Sequence, residues 1–330
     1  MARVGFIGAG MVAAWHIGCM TKLVPEADIV GLTDIDQHRA DRLAQQFDIK
    51  TFPRNEDLFN ADVDAVFVCT YPKAHRACVL AALEAGKHVF CEKPLAPTYA
   101  EGLEIARAAE RSGKKFMLGY VFHFSESARR IKSLIDESTL GQLALVWSHR
   151  LAPFVPSRGS WYADPVGGGI LDFCTHDLEL LSWWAGRPLS VTATALAAQP
   201  GLGCMDTTAV TMRFETPIGT VMSSWAAQFV SMNMGATGTK GTAMLVQDGA
   251  GFALSSVTKL EGHEETRGPR EELETVMAAE QRYFINNLER DETISPGTSE
   301  GLLALEVHEA VETSWKTGQP VSLGRGREDR

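Results

Sequence analysis

From residue 3 to about residue 120 the chain alternates short apolar runs with longer stretches of helical period. The runs are RVGFIG, DIVGLTD, VDAVFVCT, KHVFCEK and KFMLGYV, and the intervening stretches include KAHRACVLAALEAG and TYAEGLEIARAAERSG. A run that does not alternate with polar residues predicts a strand buried on both faces, and such strands separated by helices pair in parallel. The pattern therefore predicts a βαβ series. Thr98, followed three residues later by Glu101, marks one helix start as a capping box.

After about residue 122 the pattern changes. ESARRIKSLIDES predicts a helix, QLALVWSHRLA a strand, and GGGILDFCTHDLELLSWW a second helix behind three glycines. SVTATALAA, TTAVTMRFETPIGTVMSSWAAQF and MGATGTKGTAMLVQD then read as successive strands, with turns at Pro217/Gly219 and around Gly241. Strands gathered after helices predict an α+β domain with a large, mostly antiparallel sheet. The expected organisation is a doubly wound parallel sheet over residues 1–122 and an α+β domain over 123–330. At 330 residues, two domains are also the expectation from length.

Composition narrows the function. With 45% hydrophobic and 22% charged residues the chain is ordinary globular material. A net charge of -10 disfavours nucleic acid and anionic membrane as partners. No apolar run approaches the roughly 18 residues of a membrane span. The first strand-like run begins at Arg3, leaving no room for a signal peptide. Six cysteines sit inside apolar runs without a C-x-x-C pair, which fits reduced core thiols and a cytoplasmic location.

The first chemistry-bearing motif is VGFIGAGMVAAWH, with Gly8, Gly10 and Ala13 in G-x-G-x-x-A spacing between a strand and a helix. Gly8 permits the tight turn, Gly10 admits a pyrophosphate to the backbone, and Ala13 allows close helix packing. The N–H groups at the helix start, including those of Met11 and Val12, are candidate phosphate donors. Asp34 ends the second strand, 24 positions after Gly10, where a carboxylate can accept from ribose hydroxyls and repel a 2′-phosphate. NAD is expected over NADP, although His38 and Arg39 lie nearby. A solvated turn aspartate is the alternative for Asp34.

Later strands extend the site at their carboxyl ends, where ligands bind open α/β sheets. CTYPKAH closes one with Thr70, Tyr71 and His75, and CEKPL closes the next with Glu92 and Lys93. In the second half Asp172 and His176 stand four apart on a predicted helix, hence on one face. Asp172 could instead cap that helix and His176 be a core histidine. A metal set of Asp172, Cys174, His176 and Glu179 is disfavoured, because Cys174 points elsewhere on a helix and no second cluster accompanies it; no metal is expected.

Taken in order, the glycine fingerprint, EKPL at 92–95, the D-x-x-x-H of Asp172 and His176, and the closing ALEVHEAVETSWKTGQPV resemble the Gfo/Idh/MocA oxidoreductases over residues 3 to about 323. This is the glucose-fructose oxidoreductase and inositol dehydrogenase group. The resemblance implies an N-terminal Rossmann domain for NAD(P) and a C-terminal domain whose large sheet often forms the subunit contact, giving a homodimer or homotetramer. It implies hydride transfer at a secondary carbinol of a sugar, inositol or related polyol. Lys93 would lie near nicotinamide and substrate, and Asp172 and His176 would bind substrate, the histidine accepting the proton. An unperturbed imidazole pKa near 6.5 suits that task, and Lys93 would supply positive charge at a developing alkoxide.

The chain departs from the family pattern at Thr70-Tyr71-Pro72, at His123 where an arginine is usual, and at Glu179 where an aspartate is common. Other substrate-side candidates are Tyr120, Arg150, Arg158, Trp161 and Tyr162. Two other functions share the fold: an NAD-dependent glycosidase, and a non-catalytic dinucleotide-binding regulator.

Overall fold

The structure is a computed structural model that describes residues 1–154, 161–163, 169–247 and 254–324. In chain order the first elements are β1 (Ala2–Ile7), α1 (Met11–Leu23), β2 (Ala27–Thr33), α2 (Gln37–Phe47), β3 (Lys50–Thr51) and α3 (Asn55–Phe59). They continue with β4 (Ala65–Val68), α4 (Pro72–Glu84), β5 (His88–Glu92), α5 (Tyr99–Ser112) and β6 (Phe116–Gly119). Then come α6 (Glu126–Asp136), β7 (Leu143–Pro153), α7 (Ile170–Ala185), β8 (Ser190–Leu196), β9 (Thr207–Arg213), β10 (Ile218–Ser224) and β11 (Ala226–Gly238). The last are β12 (Gly241–Gln247), β13 (Leu254–Leu260), β14 (Thr266–Arg267), α8 (Leu273–Asn286), α9 (Thr298–Thr317) and β15 (Val321–Ser322).

The chain divides into two compact units. The first holds residues 1–124 and takes in 274–302; the second holds 125–273 and 303–330. A single boundary after residue 122 was the expectation, and the returning segment differs from it for a packing reason. Phe284 of α8 meets the rings of Phe67 and Phe90 edge-on at 5.6 and 5.8 Å, within the stack of Phe6, Phe67 and Phe90. Val276, Ala278, Ile285 and Leu288 join the same core. Fully burying one such side chain contributes roughly 1.5–3 kcal/mol, so an amphipathic helix distant in sequence completes the first core.

The first unit carries a parallel six-stranded sheet in the order β3-β2-β1-β4-β5-β6. The expected runs supply its long strands, buried as their composition requires, and β4 and β6 are buried throughout. Thr98 accepts a hydrogen bond from the Glu101 N–H at the start of α5, and Gly113 ends that helix at φ 64°. Strand order reverses between β1 and β4, the switch point at whose carboxyl edge open α/β sheets bind ligands.

The second unit carries a nine-stranded sheet, β14-β13-β12-β11-β7-β10-β9-β8-β15, antiparallel except where β10 runs parallel to β7. Period-two burial is clearest on β9, where Thr208, Val210 and Met212 point inward and Ala209, Thr211 and Arg213 outward. The first hairpin turn falls earlier than expected: Ile218 already pairs with Arg213, so Gly219 lies within β10. A Cβ there would stand 2.7 Å from the Phe214 ring, so glycine makes room for that side chain. All six cysteines are free and buried. No helix among the described residues is long and apolar enough to cross a membrane.

Candidate active site

In the first unit the glycine motif occupies the turn between β1 and α1. Gly8 has φ 105°, and a Cβ on it would lie 2.6 Å from the Cys69 carbonyl oxygen. Only glycine fits that left-handed, crowded position, so the turn after β1 sits against the end of β4. Gly10 is the N-cap of α1 in extended conformation and offers no side-chain cap. A Cβ on Gly10 would meet nothing within 4 Å, so the space over that backbone is open. The first N–H groups of α1, starting at Met11 and Val12, lack intrahelical acceptors, as at any helix start. An open cradle beneath uncapped N–H groups suits the pyrophosphate of a dinucleotide.

Asp34 is anchored rather than merely solvated. One carboxylate oxygen accepts the Ala9 N–H at 2.7 Å and the other the Asp36 N–H at 2.8 Å. The residue at the end of β2 thereby shapes the glycine turn, and each oxygen keeps a lone pair for a ribose hydroxyl. The nearby cation Arg39 pairs with Asp36 at 3.2 Å, and His38 is exposed.

Thr70 and Tyr71 follow β4, with Tyr71 at the N-cap of α4 and 41% exposed. His75, expected against the cofactor, is fully buried. Its Nδ1 lies 2.8 Å from the Pro94 carbonyl oxygen and its Nε2 3.0 Å from that of Thr70. His75 therefore ties the turn after β4 to the turn carrying Lys93.

Glu92 ends β5 with a largely buried side chain. Burial alone would raise its carboxyl pKa, but the His16 hydrogen bond, the neighbouring Lys93 and the Lys93 N–H together hold it below the ordinary range. Glu280 on α8 is pushed far upward, first by burial and then by Glu92. The two neighbouring buried carboxyls are thus shifted in opposite directions. Tyr120 and His123 are buried at and just after the end of β6.

In the second unit α7 starts at Gly169, whose φ of 71° is again left-handed and whose Cβ would come 3.2 Å from the Met205 carbonyl oxygen. Asp172 lies in the first turn, 3% exposed, close to the positive end of the helix dipole. His176 follows one turn later and is half-buried. Both expected residues therefore share one helix face.

Sequence reasoning missed Asp177, which is fully buried. It accepts from the Ser148 hydroxyl at 2.5 Å and lies 3.6 Å from the Arg150 guanidinium. Arg150, expected to bind substrate, also stacks on the Phe173 ring at 4.1 Å. Its charge is engaged in fastening β7 to α7. A buried Asp on an apolar helix signals the need for a partner, but nothing local says that β7 provides it. Cys174 is buried, and its thiol pKa is raised first by desolvation and then by Asp177, which leaves it a core residue.

Trp161 stacks on Tyr162 at 3.9 Å, and Tyr162 packs edge-on against Phe154, which meets Trp225 in turn. Phe154, Tyr162 and Trp225 pack with Ile170 at the start of α7, where the Gly169 N–H bonds the Tyr162 carbonyl at 2.8 Å. Arg158 lies outside the described residues.

A dinucleotide cradle on a parallel sheet, joined to a mixed-sheet unit that carries an acid–imidazole helix, defines a two-unit oxidoreductase architecture. The chain belongs to the Gfo/Idh/MocA oxidoreductase family: residues 2–120 match its NAD-binding Rossmann domain and residues 128–244 its C-terminal domain. It is 37% identical to inositol 2-dehydrogenase 3 of Saccharopolyspora erythraea over 183 residues, 55% of this chain and 53% of that protein. The matched part therefore spans about half the length of this relative. Among solved structures, levoglucosan dehydrogenase in complex with NADH and levoglucosan has a TM-score of 0.86 at 18% identity, covering 98% of this chain and all of that one. Myo-inositol 2-dehydrogenase of Lactobacillus plantarum has a TM-score of 0.84 at 19% identity, covering 98% and 99%. At these identities the structural likeness is one of fold.

Proposed function

We propose that this protein is an NAD-dependent dehydrogenase acting on a secondary carbinol of an inositol, a related polyol or a sugar. The observation that carries the reading is the occurrence, in one chain, of the dinucleotide cradle, of Lys93 held at the end of β5, and of Asp172 and His176 on one face of α7. The 37% identity to an inositol 2-dehydrogenase supports the substrate class.

Gly8, Gly10 and the N–H groups of Met11 and Val12 would hold the pyrophosphate, and Asp34 the adenosine ribose. Thr70, Tyr71, Glu92 and Lys93 line the turns on the nicotinamide side. When bound, the nicotinamide supplies the hydride acceptor. The chain's own residues do the rest: His176 takes the hydroxyl proton, Asp172 orients the substrate and the imidazole, and Lys93 places positive charge at the carbinol oxygen. We assign Tyr120, His123 and Trp161 to the substrate side. We also assign a homodimer or homotetramer contact to the open sheet face of the second unit, where Ile218 and Met222 stand half exposed.

The test is NADH absorbance at saturating NAD against inositols, aldoses, anhydrosugars and glycosides, with sugar release followed in parallel. NADH formation from one class is the expected result. Sugar release without NADH would establish a glycosidase instead, and tight NAD binding with silence throughout would favour the regulator.

NAD preference has its own test. Asp34→Ser removes the ribose acceptors and the charge that repels a 2′-phosphate, and it also frees the Ala9 N–H, so both cofactor affinities should fall. Their ratio should still move toward NADP by about tenfold or more, the worth of hydrogen bonds to a charged group. An unchanged ratio in parallel titrations would remove Asp34 from cofactor selection.

A further inference from the structure

His16 has no part in the assignments above, yet its surroundings are unusually specific. It lies on α1 in the apolar stretch MVAAWHIGCM and is fully buried. Its Nε2 is 2.7 Å from Glu92 Oε1, and its Nδ1 is 2.8 Å from Gln281 Nε2 on α8. The same Gln281 nitrogen lies 3.0 Å from the His16 carbonyl oxygen. A carbonyl only accepts, so the amide group facing it is the NH2 donor, and Nδ1 must present a lone pair to that donor. The ring proton therefore resides on Nε2 and is donated to Glu92. Phe90 edge-on at 5.2 Å and Phe67 tilted at 5.8 Å wall the ring in.

Glu92 passes this constraint onward. Its Oε2 accepts the Lys93 N–H at 3.1 Å, so one carboxylate joins α1 to the backbone of the next residue. β6 leaves room for that carboxylate by placing Gly119 opposite it, where a Cβ would lie 3.1 Å from Oε1. The helix whose first turn forms the dinucleotide cradle is thereby linked, through two side chains, to the residue that must stand beside a bound nicotinamide. The other ionisable groups near Glu92 are Lys93, Glu280, Cys69 and Cys91.

We propose that His16 is a positioning residue for Lys93, acting through Glu92, with Gln281 fixing its tautomer. The kinetic consequence rests on the dehydrogenase reading; the structural one does not. If the network served stability alone, losing it would lower the melting temperature without singling out Lys93. If it positions Lys93, the loss falls on that residue. Misplacement of a reacting group by about 1 Å can cost a hundredfold in rate.

Three measurements on the full-length protein test this. Nitrogen-15 histidine spectra should show His16 as the Nε2–H tautomer; an Nδ1–H tautomer would overturn the inference whatever the activity. Amide exchange in His16→Leu should speed up by about tenfold or more at Lys93 while Val89 and Phe90 within β5 stay protected; uniform acceleration, or none at Lys93, would also overturn it. With a substrate in hand, His16→Leu should lower kcat by about ten- to a hundredfold with NAD affinity within about threefold. His16→Gln, which can still donate to Glu92, should recover most of that loss. Parallel loss of kcat and NAD binding would reassign His16 to the cradle. If His16→Leu does not fold, Gln281→Leu retains the Glu92 bond but frees the tautomer, and should give mixed tautomers; a pure Nε2–H signal there would overturn the role of Gln281. A wild type that shows the expected tautomer and exchange but oxidises no polyol would sink the dehydrogenase reading and leave the positioning of Lys93 standing.

Discussion

Lys93→Ala is expected to lower turnover by about a hundred- to a thousandfold, the usual cost of removing a group aimed at a developing negative charge. The NAD dissociation constant should stay within about threefold, because the pyrophosphate and ribose contacts are assigned to the turn around Gly8 and Gly10 and to Asp34. The geometry favours a fixed role. The Lys93 backbone is held by the Glu92 carboxylate, and the following Pro94 carbonyl accepts from buried His75. The attraction between Glu92 and Lys93 also helps keep that carboxylate ionised, so losing the ammonium should push the Glu92 pKa upward. Lys93→Met separates charge from packing, since it keeps an apolar stem of similar length. Comparable losses in the two variants would assign the effect to charge, whereas a Met variant near wild-type turnover would show that the stem is what matters. Turnover equal to wild type in both would reject Lys93 as the group at the reacting oxygen. Initial rates of NADH formation and NAD titrations on the same preparations provide the comparison.

How much of this was legible beforehand depends on how local each constraint is. Gly8 announces itself because the turn between a buried strand and a helix demands glycine there for backbone reasons, and Gly10 through its spacing from Gly8. Asp172 and His176 were legible because helical period alone places them together. The second sheet was readable where strands alternate, as on β9. It was not readable at β14 and β15, two-residue strands whose pairing is supplied by β13 and β8. The return of 274–302 was hidden as well, since an amphipathic helix reveals its apolar face but not the core it will join. His16, Gln281, Ser148 and Asp177 went unassigned for a shared reason: each is a buried polar group whose need for a partner can be guessed, while the partner lies 29 to 265 residues away. The contacts of His75 with Thr70 and Pro94 and of Arg150 with Asp177 and Phe173 were hidden likewise, because only the folded chain creates them.

His176→Asn carries the second large expected effect. Asparagine keeps a hydrogen-bonding side chain of similar reach but cannot accept a proton, so if His176 is the base, kcat for alcohol oxidation should fall by about a hundred- to ten-thousandfold. The sign of the pH dependence follows from the direction of the reaction. The base must be neutral to take the hydroxyl proton, so wild-type oxidation should decline as pH falls through the imidazole pKa in the complex, and reduction should be favoured on the acid side. In His176→Asn that acid limb should vanish along with the rate. Asp177 cannot supply a substitute limb: although adjacent in sequence, it points to another side of α7 and is engaged with Ser148 and Arg150. A limb that persists unshifted in His176→Asn would remove His176 as the base, with Asp172 as the next residue to replace. Loss of the limb together with retention of NAD binding would fix proton acceptance on α7, one turn beyond the carboxylate of Asp172.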